Sequence, residues 1–167
     1  MTQEAKISQF SSPEEYHNWL MEIAYQQAVL AQELDEVPIG AVVARGTEIL
    51  AVNHNRRILD ADPTAHAEVL VIREAARKLG DWRLNECTLA VTLEPCSMCA
   101  GAIVLARLKE VVFGATDPKA GAAGTVLNIC NHEKLNHRAK IISGIQAEKC
   151  SAILTNFFRA QRALGKK

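Results

Sequence analysis

The chain has 167 residues and a mass of 18.3 kDa, 49% hydrophobic and 23% charged, which suits one globular domain and excludes a disordered segment. Nineteen basic and nineteen acidic side chains cancel, so no partner is held by bulk positive charge. The charge is nevertheless polarised: residues 1–36 sum to −6, and residues 156–167 carry +4 through Arg159, Arg162, Lys166 and Lys167.

Residues 1–11 are polar and patternless and read as a flexible leader to a single domain over 12–167. Ser12-Pro13-Glu14-Glu15 opens a helix, with Ser12 as cap, Pro13 in the first turn and Glu15 closing a capping box. Tyr16, Leu20, Ile23, Ala24, Ala31 and Leu34 give it an apolar stripe, and Pro38 stops it. Ile39–Ala44 and Glu48–Asn53 predict a hairpin around Arg45-Gly46-Thr47. A second helix is expected over 65–79, closed by Gly80, with Val69, Ile72, Ala76 and Leu79 inward.

Thr88–Thr92 predicts a strand, and residues 97–107 a helix apolar nearly all round and therefore buried. Glu110–Phe113 is a further strand, and 114–124, with three glycines and a proline, a loop. Ala139–Ser143 is a weaker strand. The last helix, 146–164, turns Ala147, Cys150, Ile153, Leu154, Phe157 and Phe158 inward. Strand–helix–strand units require parallel neighbours, so the expected fold is three-layer α/β/α around a mixed sheet of about five strands. No apolar run approaches the ~20 residues of a membrane span, and no secretory signal is visible, which predicts a cytoplasmic protein.

Five cysteines, an odd number, sit at 87, 96, 99, 130 and 150. Cys96 and Cys99 open a helix, where free amides and the helix dipole favour thiolate. Alone, such a pair is equally a redox or a metal motif. His66, also in the first turn of a helix, shifts the balance towards zinc, which prefers this set of sulfur and imidazole ligands. A closed structural zinc needs a fourth ligand; Cys87, Cys130, Cys150, His132 and His137 are present, but none lies at a short spacing from the others. Three ligands and one open position make the catalytic arrangement. Glu68 is either a helix-start acid stabilising the dipole or a carboxylate that reaches water activated by the metal, whose pKa zinc lowers to roughly 7.

His66-Ala67-Glu68 followed by Pro95-Cys96-Ser97-Met98-Cys99 resembles the signature of zinc nucleobase deaminases. Val37-Pro38-Ile39-Gly40-Ala41, Asp62-Pro63-Thr64-Ala65, Val112-Phe113-Gly114-Ala115, Gly121-Ala122-Ala123-Gly124, Asn136-His137-Arg138 and Phe157-Phe158-Arg159 extend the likeness over about residues 13–164. They narrow it to the bacterial tRNA-specific adenosine deaminases of the cytidine/deoxycytidylate deaminase superfamily. The resemblance implies one Zn2+ per subunit on His66, Cys96 and Cys99, with Glu68 as proton shuttle. It implies base contacts from Asn55, Val37 and the Ala67 amide, and a place for Asp117 near the sugar. Asn55 and Asp117 also suit plain turns. The family is homodimeric and acts on the tRNA anticodon loop, whose phosphates Arg159 and Arg162 are expected to meet; a solvated helix end is the other reading of those two. The expected activity is hydrolytic deamination of wobble adenosine to inosine. The alternatives are a deaminase of free guanine or cytosine, and a structural zinc module that binds RNA or protein.

Overall fold

The computed structural model describes residues 9–166. The elements run α1 (Pro13–Glu33), β1 (Gly40–Arg45), β2 (Glu48–His54), α2 (Ala67–Leu79), β3 (Thr88–Leu93), α3 (Ser97–Leu105), β4 (Glu110–Ala115), β5 (Lys140–Ile142) and α4 (Ala147–Ala163). The five strands form one sheet in the order β2-β1-β3-β4-β5. β1 is antiparallel to both β2 and β3, while β3–β4 and β4–β5 are parallel. This is the mixed five-stranded sheet expected from the element order.

Strand alternation builds a core on each face. Ala41, Val43, Leu89, Val91, Val111 and Phe113 point to one side and meet Val71, Ile72 and Ala75 of α2 and Ala100 and Ile103 of α3. Val42, Ala44, Ala90 and Val112 point to the other and meet Leu20, Met21 and Ala24 of α1 and Cys150 of α4. Two glycines let helices close on the sheet. A Cβ at Gly40 would strike the α1 backbone at Ala24 and Ala28, and one at Gly114 would lie 2.5 Å from Cys150 Sγ.

The structure departs from the expected pattern at several points. Ser12 caps α1 by accepting from Glu15 N at 3.1 Å, but Glu15 reaches back to Ser11 rather than to Ser12, so the box is shifted by one residue. The helix ends before Pro38 because Asp35 takes φ +59°, a left-handed turn that carries Glu36 inward. The hairpin turn is only Gly46-Thr47, since β1 runs through Arg45 to pair with Glu48.

The buried face of α2 is Ala67, Glu68, Val71, Ile72 and Ala75, rotated from the one expected, because the helix starts by sending Glu68 inward. Val69, Ala76 and Leu79 are its half-buried margins. Helix α3 is not buried all round. One side covers the sheet, and Leu105 on the other is 70% exposed with Met98 at 36%. On α4, Phe157 is buried but Phe158 is 44% exposed, since adjacent helical positions cannot share a face. Residues 114–115 belong to β4, and the loop begins at Thr116. Of the leader expected at 1–11, residues 1–8 lie outside the described residues, and Phe10 stacks against Tyr16 and Trp19 with ring centroids 5.4 and 5.3 Å away.

Candidate active site

Both helices that carry the suspected ligands begin at one end of the sheet. His66 is the N-cap residue of α2 and Cys96 that of α3, which follows directly on β3. Neither side chain caps its own helix, so both are free for another task. His66 Nδ1 lies 3.6 Å from Cys96 Sγ and 3.5 Å from Cys99 Sγ. The donor atoms of the three residues all fall within 4.8 Å of one another, and among the described residues no other group of three His, Cys, Asp or Glu side chains is so placed. Cys87, Cys130 and Cys150 are buried apart from it, their thiols pushed up by burial to about 11, 12 and 11.

The donor set fits a metal. The Cys96 thiol is held down to about 3, first by a hydrogen bond from Cys99 and then by His66. Cys99 is pushed up, first by that same bond and then by burial. His66 is drawn up by its contact with Cys96. A pair of sulfurs and an imidazole that already attract positive charge form a ready cradle for a soft-to-borderline cation.

Beside the cradle is a cavity of about 210 Å³. His66, Glu68 and Cys96 form its floor. Val37, Ile39, Asn55 and Arg57 make one wall, Leu93, Glu94, Asp117 and Ala120 the other, and Ala67 and Phe158 complete it. Glu68, in the first turn of α2, is 4% exposed, and burial pushes its carboxyl up to about 7 against the pull of His66. A carboxyl poised near neutral can both accept and return a proton. The cavity is the size of a small ring system, apolar in lining with a few convergent polar groups.

The structure therefore brings together His66, Cys96, Cys99, Glu68, Asn55, Val37, Ala67 and Asp117. It does not bring Arg159 there: that side chain is exposed on α4 and is not part of the lining. Arg162 lines a neighbouring groove of about 610 Å³, which shares Val37, Leu93, Asp117 and Phe158 with the cavity.

Two buried acids escaped the sequence reading. Glu94 Oε2 accepts from Asp117 N at 3.0 Å, and its Oε1 from Ala123 N and Thr125 N at 3.1 Å each. Burial pushes Glu94 up, but these bonds and Thr125 outweigh it and hold the carboxyl below its ordinary range. Gly121 is required beside it, since a Cβ there would collide with the carboxylate. Glu36 holds the opposite wall in the same manner, through Asn55, Ile58 and Leu59. The available signal was an acid joined directly to an apolar strand or to Val-Pro, with no surface face to occupy.

The MafB19-like deaminase family model matches residues 15–162. A tRNA-specific adenosine deaminase of Bacillus subtilis is 51% identical over 142 residues, covering 85% of this chain and 88% of the relative. One from Haemophilus influenzae is 43% identical over 149 residues, covering 89% and 86%. A solved structure from work on A-to-I editing by tRNA:A34 deaminases at the wobble position of transfer RNA superposes with a TM-score of 0.78 at 42% identity, covering 81% of this chain and 99% of that one. A match of this extent over the cavity, its cradle and both sheet faces assigns the chain to the MafB19-like deaminases and, among them, to the tRNA-specific adenosine deaminase family.

Proposed function

We propose that this protein is a hydrolase that converts adenosine to inosine at the wobble position of tRNA, consuming one water and releasing one ammonia. The observation that carries the reading is the meeting of His66, Cys96 and Cys99 beside one base-sized cavity, which His66, Cys96 and the buried Glu68 line. A duplex hides its bases, whereas an anticodon loop offers one that can be turned out into such a cavity.

His66, Cys96 and Cys99 would hold one Zn2+ per subunit. The chemistry that zinc supplies in such a site is acidification of water, to a pKa of roughly 7. Glu68 takes one proton of the attacking water and passes it to N1 of the purine. It then takes the second from the hydroxyl now on tetrahedral C6 and delivers it to the departing 6-amino group, so that water's two protons end on N1 and in ammonia. Its raised pKa suits a group that must be proton acceptor and donor in one turnover. Asn55, Val37 and Ala67 line the cavity and would contact the base, the last through its amide, and Asp117, also in the lining, would lie near the nucleotide's sugar. Arg162 in the adjoining groove, with Arg159 one turn away, meets RNA phosphates. The apolar side chains that α3 leaves exposed, Met98 and Leu105, support a homodimer. Among the described residues no helix is long and apolar enough to cross a membrane, and a tRNA substrate argues for a cytoplasmic location.

The test is incubation of the zinc-loaded protein with an anticodon stem-loop bearing wobble adenosine, scored for inosine, beside free adenine, guanine and cytosine. Inosine in the stem-loop alone is expected. Turnover of free bases only would favour a nucleobase deaminase. In Glu68→Gln, zinc content and melting temperature should persist while ammonia release falls by at least ~10²–10⁴-fold, the range for losing a general acid–base group. An unimpaired Glu68→Gln protein would reduce the site to a structural zinc module.

A further inference from the structure

The segment 55–59, whose Asn55 and Arg57 line the cavity, hangs on one buried side chain of the turn after α1. Glu36 is fully buried, yet both its oxygens are used. Oε1 accepts from the backbone amides of Ile58 at 2.6 Å and Leu59 at 2.7 Å, and Oε2 accepts from Asn55 Nδ2 at 3.1 Å. The Asn55 main chain is pinned as well: its N–H donates to Ile39 O at 2.9 Å, and its carbonyl lies 2.8 Å from His54 Nδ1. Asn55 Nδ2 also sits 3.5 Å from the Val37 carbonyl. The amide nitrogen is thus engaged by Glu36 and Val37, while none of the described residues donates a hydrogen bond to Oδ1.

A carboxyl oxygen that accepts orders the amide facing it one way round, with the NH2 towards it. We infer that Glu36 is a positioning residue for substrate selection: it holds the Asn55 amide with Oδ1 facing the base, so that the cavity demands an N–H at that place. In adenosine the only N–H bonds of the base are those of the 6-amino group, and inosine, the product, has lost them. The same contact therefore holds substrate and releases product. This deepens the proposed function and depends on Asn55 meeting the base, as that reading has it.

Glu36→Gln tests it in the full, zinc-loaded chain. The glutamine oxygen keeps the Ile58 and Leu59 amides, but its NH2 then faces the NH2 of Asn55, and the asparagine turns over. Inosine formation in the stem-loop should fall roughly 30-fold or more in kcat/KM, since a misdirected polar group both loses its bond and misplaces the base. Zinc content should be unchanged. The double variant Glu36→Gln/Asn55→Asp restores a donor–acceptor pair and again turns an oxygen to the cavity, so it should recover at least tenfold of that loss, which a merely structural role does not predict. The second readout needs no activity. In nuclear magnetic resonance of the wild-type protein the Asn55 side-chain NH2 should exchange slowly with solvent, and in Glu36→Gln quickly. If wild-type protein forms no inosine, the functional reading fails while the exchange measurement still decides what Glu36 does. Equal exchange in the two proteins, kcat/KM within threefold of wild type, or a double variant no better than the single one overturns the inference.

Discussion

Replacing Glu94 with glutamine alters one atom of a carboxylate on which the whole 116–125 wall depends. Three backbone amides, those of Asp117, Ala123 and Thr125, converge on its two oxygens. Glutamine keeps one oxygen, which suits Ala123 and Thr125 because both use Oε1. Its NH2 then meets the Asp117 N–H donor to donor. A buried donor left without an acceptor costs about 1–3 kcal/mol, and the two surviving bonds lose the extra strength that ionisation lends them. We expect a destabilisation of about 2–4 kcal/mol. At about 2–4 °C per kcal/mol for a chain of this size, the melting temperature should fall by roughly 5–15 °C. Thermal melts supply the magnitude, and amide hydrogen exchange locates it: Asp117 should lose protection first, and strands β1 and β3 should not change. Because Asp117 and Ala120 line the cavity, KM for the stem-loop should rise more than kcat falls, at constant zinc content. A melting temperature within 2 °C of wild type with unchanged exchange at Asp117 would refute the claim that this carboxylate holds the wall.

Other outcomes can be checked alongside. Chelation at neutral pH should abolish inosine formation and leave half-buried Cys96 the most readily alkylated thiol, ahead of buried Cys87, Cys130 and Cys150; added zinc should reverse both effects. Gly40→Ala should destabilise by at least ~1–3 kcal/mol in urea unfolding, because its methyl has only the α1 backbone and Gln27 Cβ to move against. Burial pushes Glu110 up, yet His17 at 2.8 Å and Lys140 at 3.1 Å more than offset it and hold the carboxyl below its ordinary range. Stability from a depressed carboxyl is present above its unfolded pKa and lost as pH falls through the folded one, so Glu110→Gln should flatten the drop in melting temperature below about pH 4.5. Replacing Arg159 and Arg162 together by alanine should weaken tRNA binding with little effect on zinc content, and reduce the salt dependence of binding by about one to two phosphate contacts.

Residue order alone determined the sheet, its helices and the identity of the cradle, because each rests on local pattern. Alternating apolar runs, a capping serine, a helix-closing Gly80 and cysteines three apart at a helix start are all short-range signals. Long-range packing decided the rest. Which face α2 buries depended on Glu68 entering a cavity shared by three elements, and the exposed side of α3 depended on how much sheet nine residues can cover. That Phe158 borders the cavity while Phe157 is buried follows from where the helix lies against β4, which no periodicity specifies. Above all, Glu36 and Glu94 look like ordinary acids in the chain. Only tertiary structure removes them from water and surrounds each with three N–H groups from segments 19–31 residues away, converting a costly buried charge into the support of a wall.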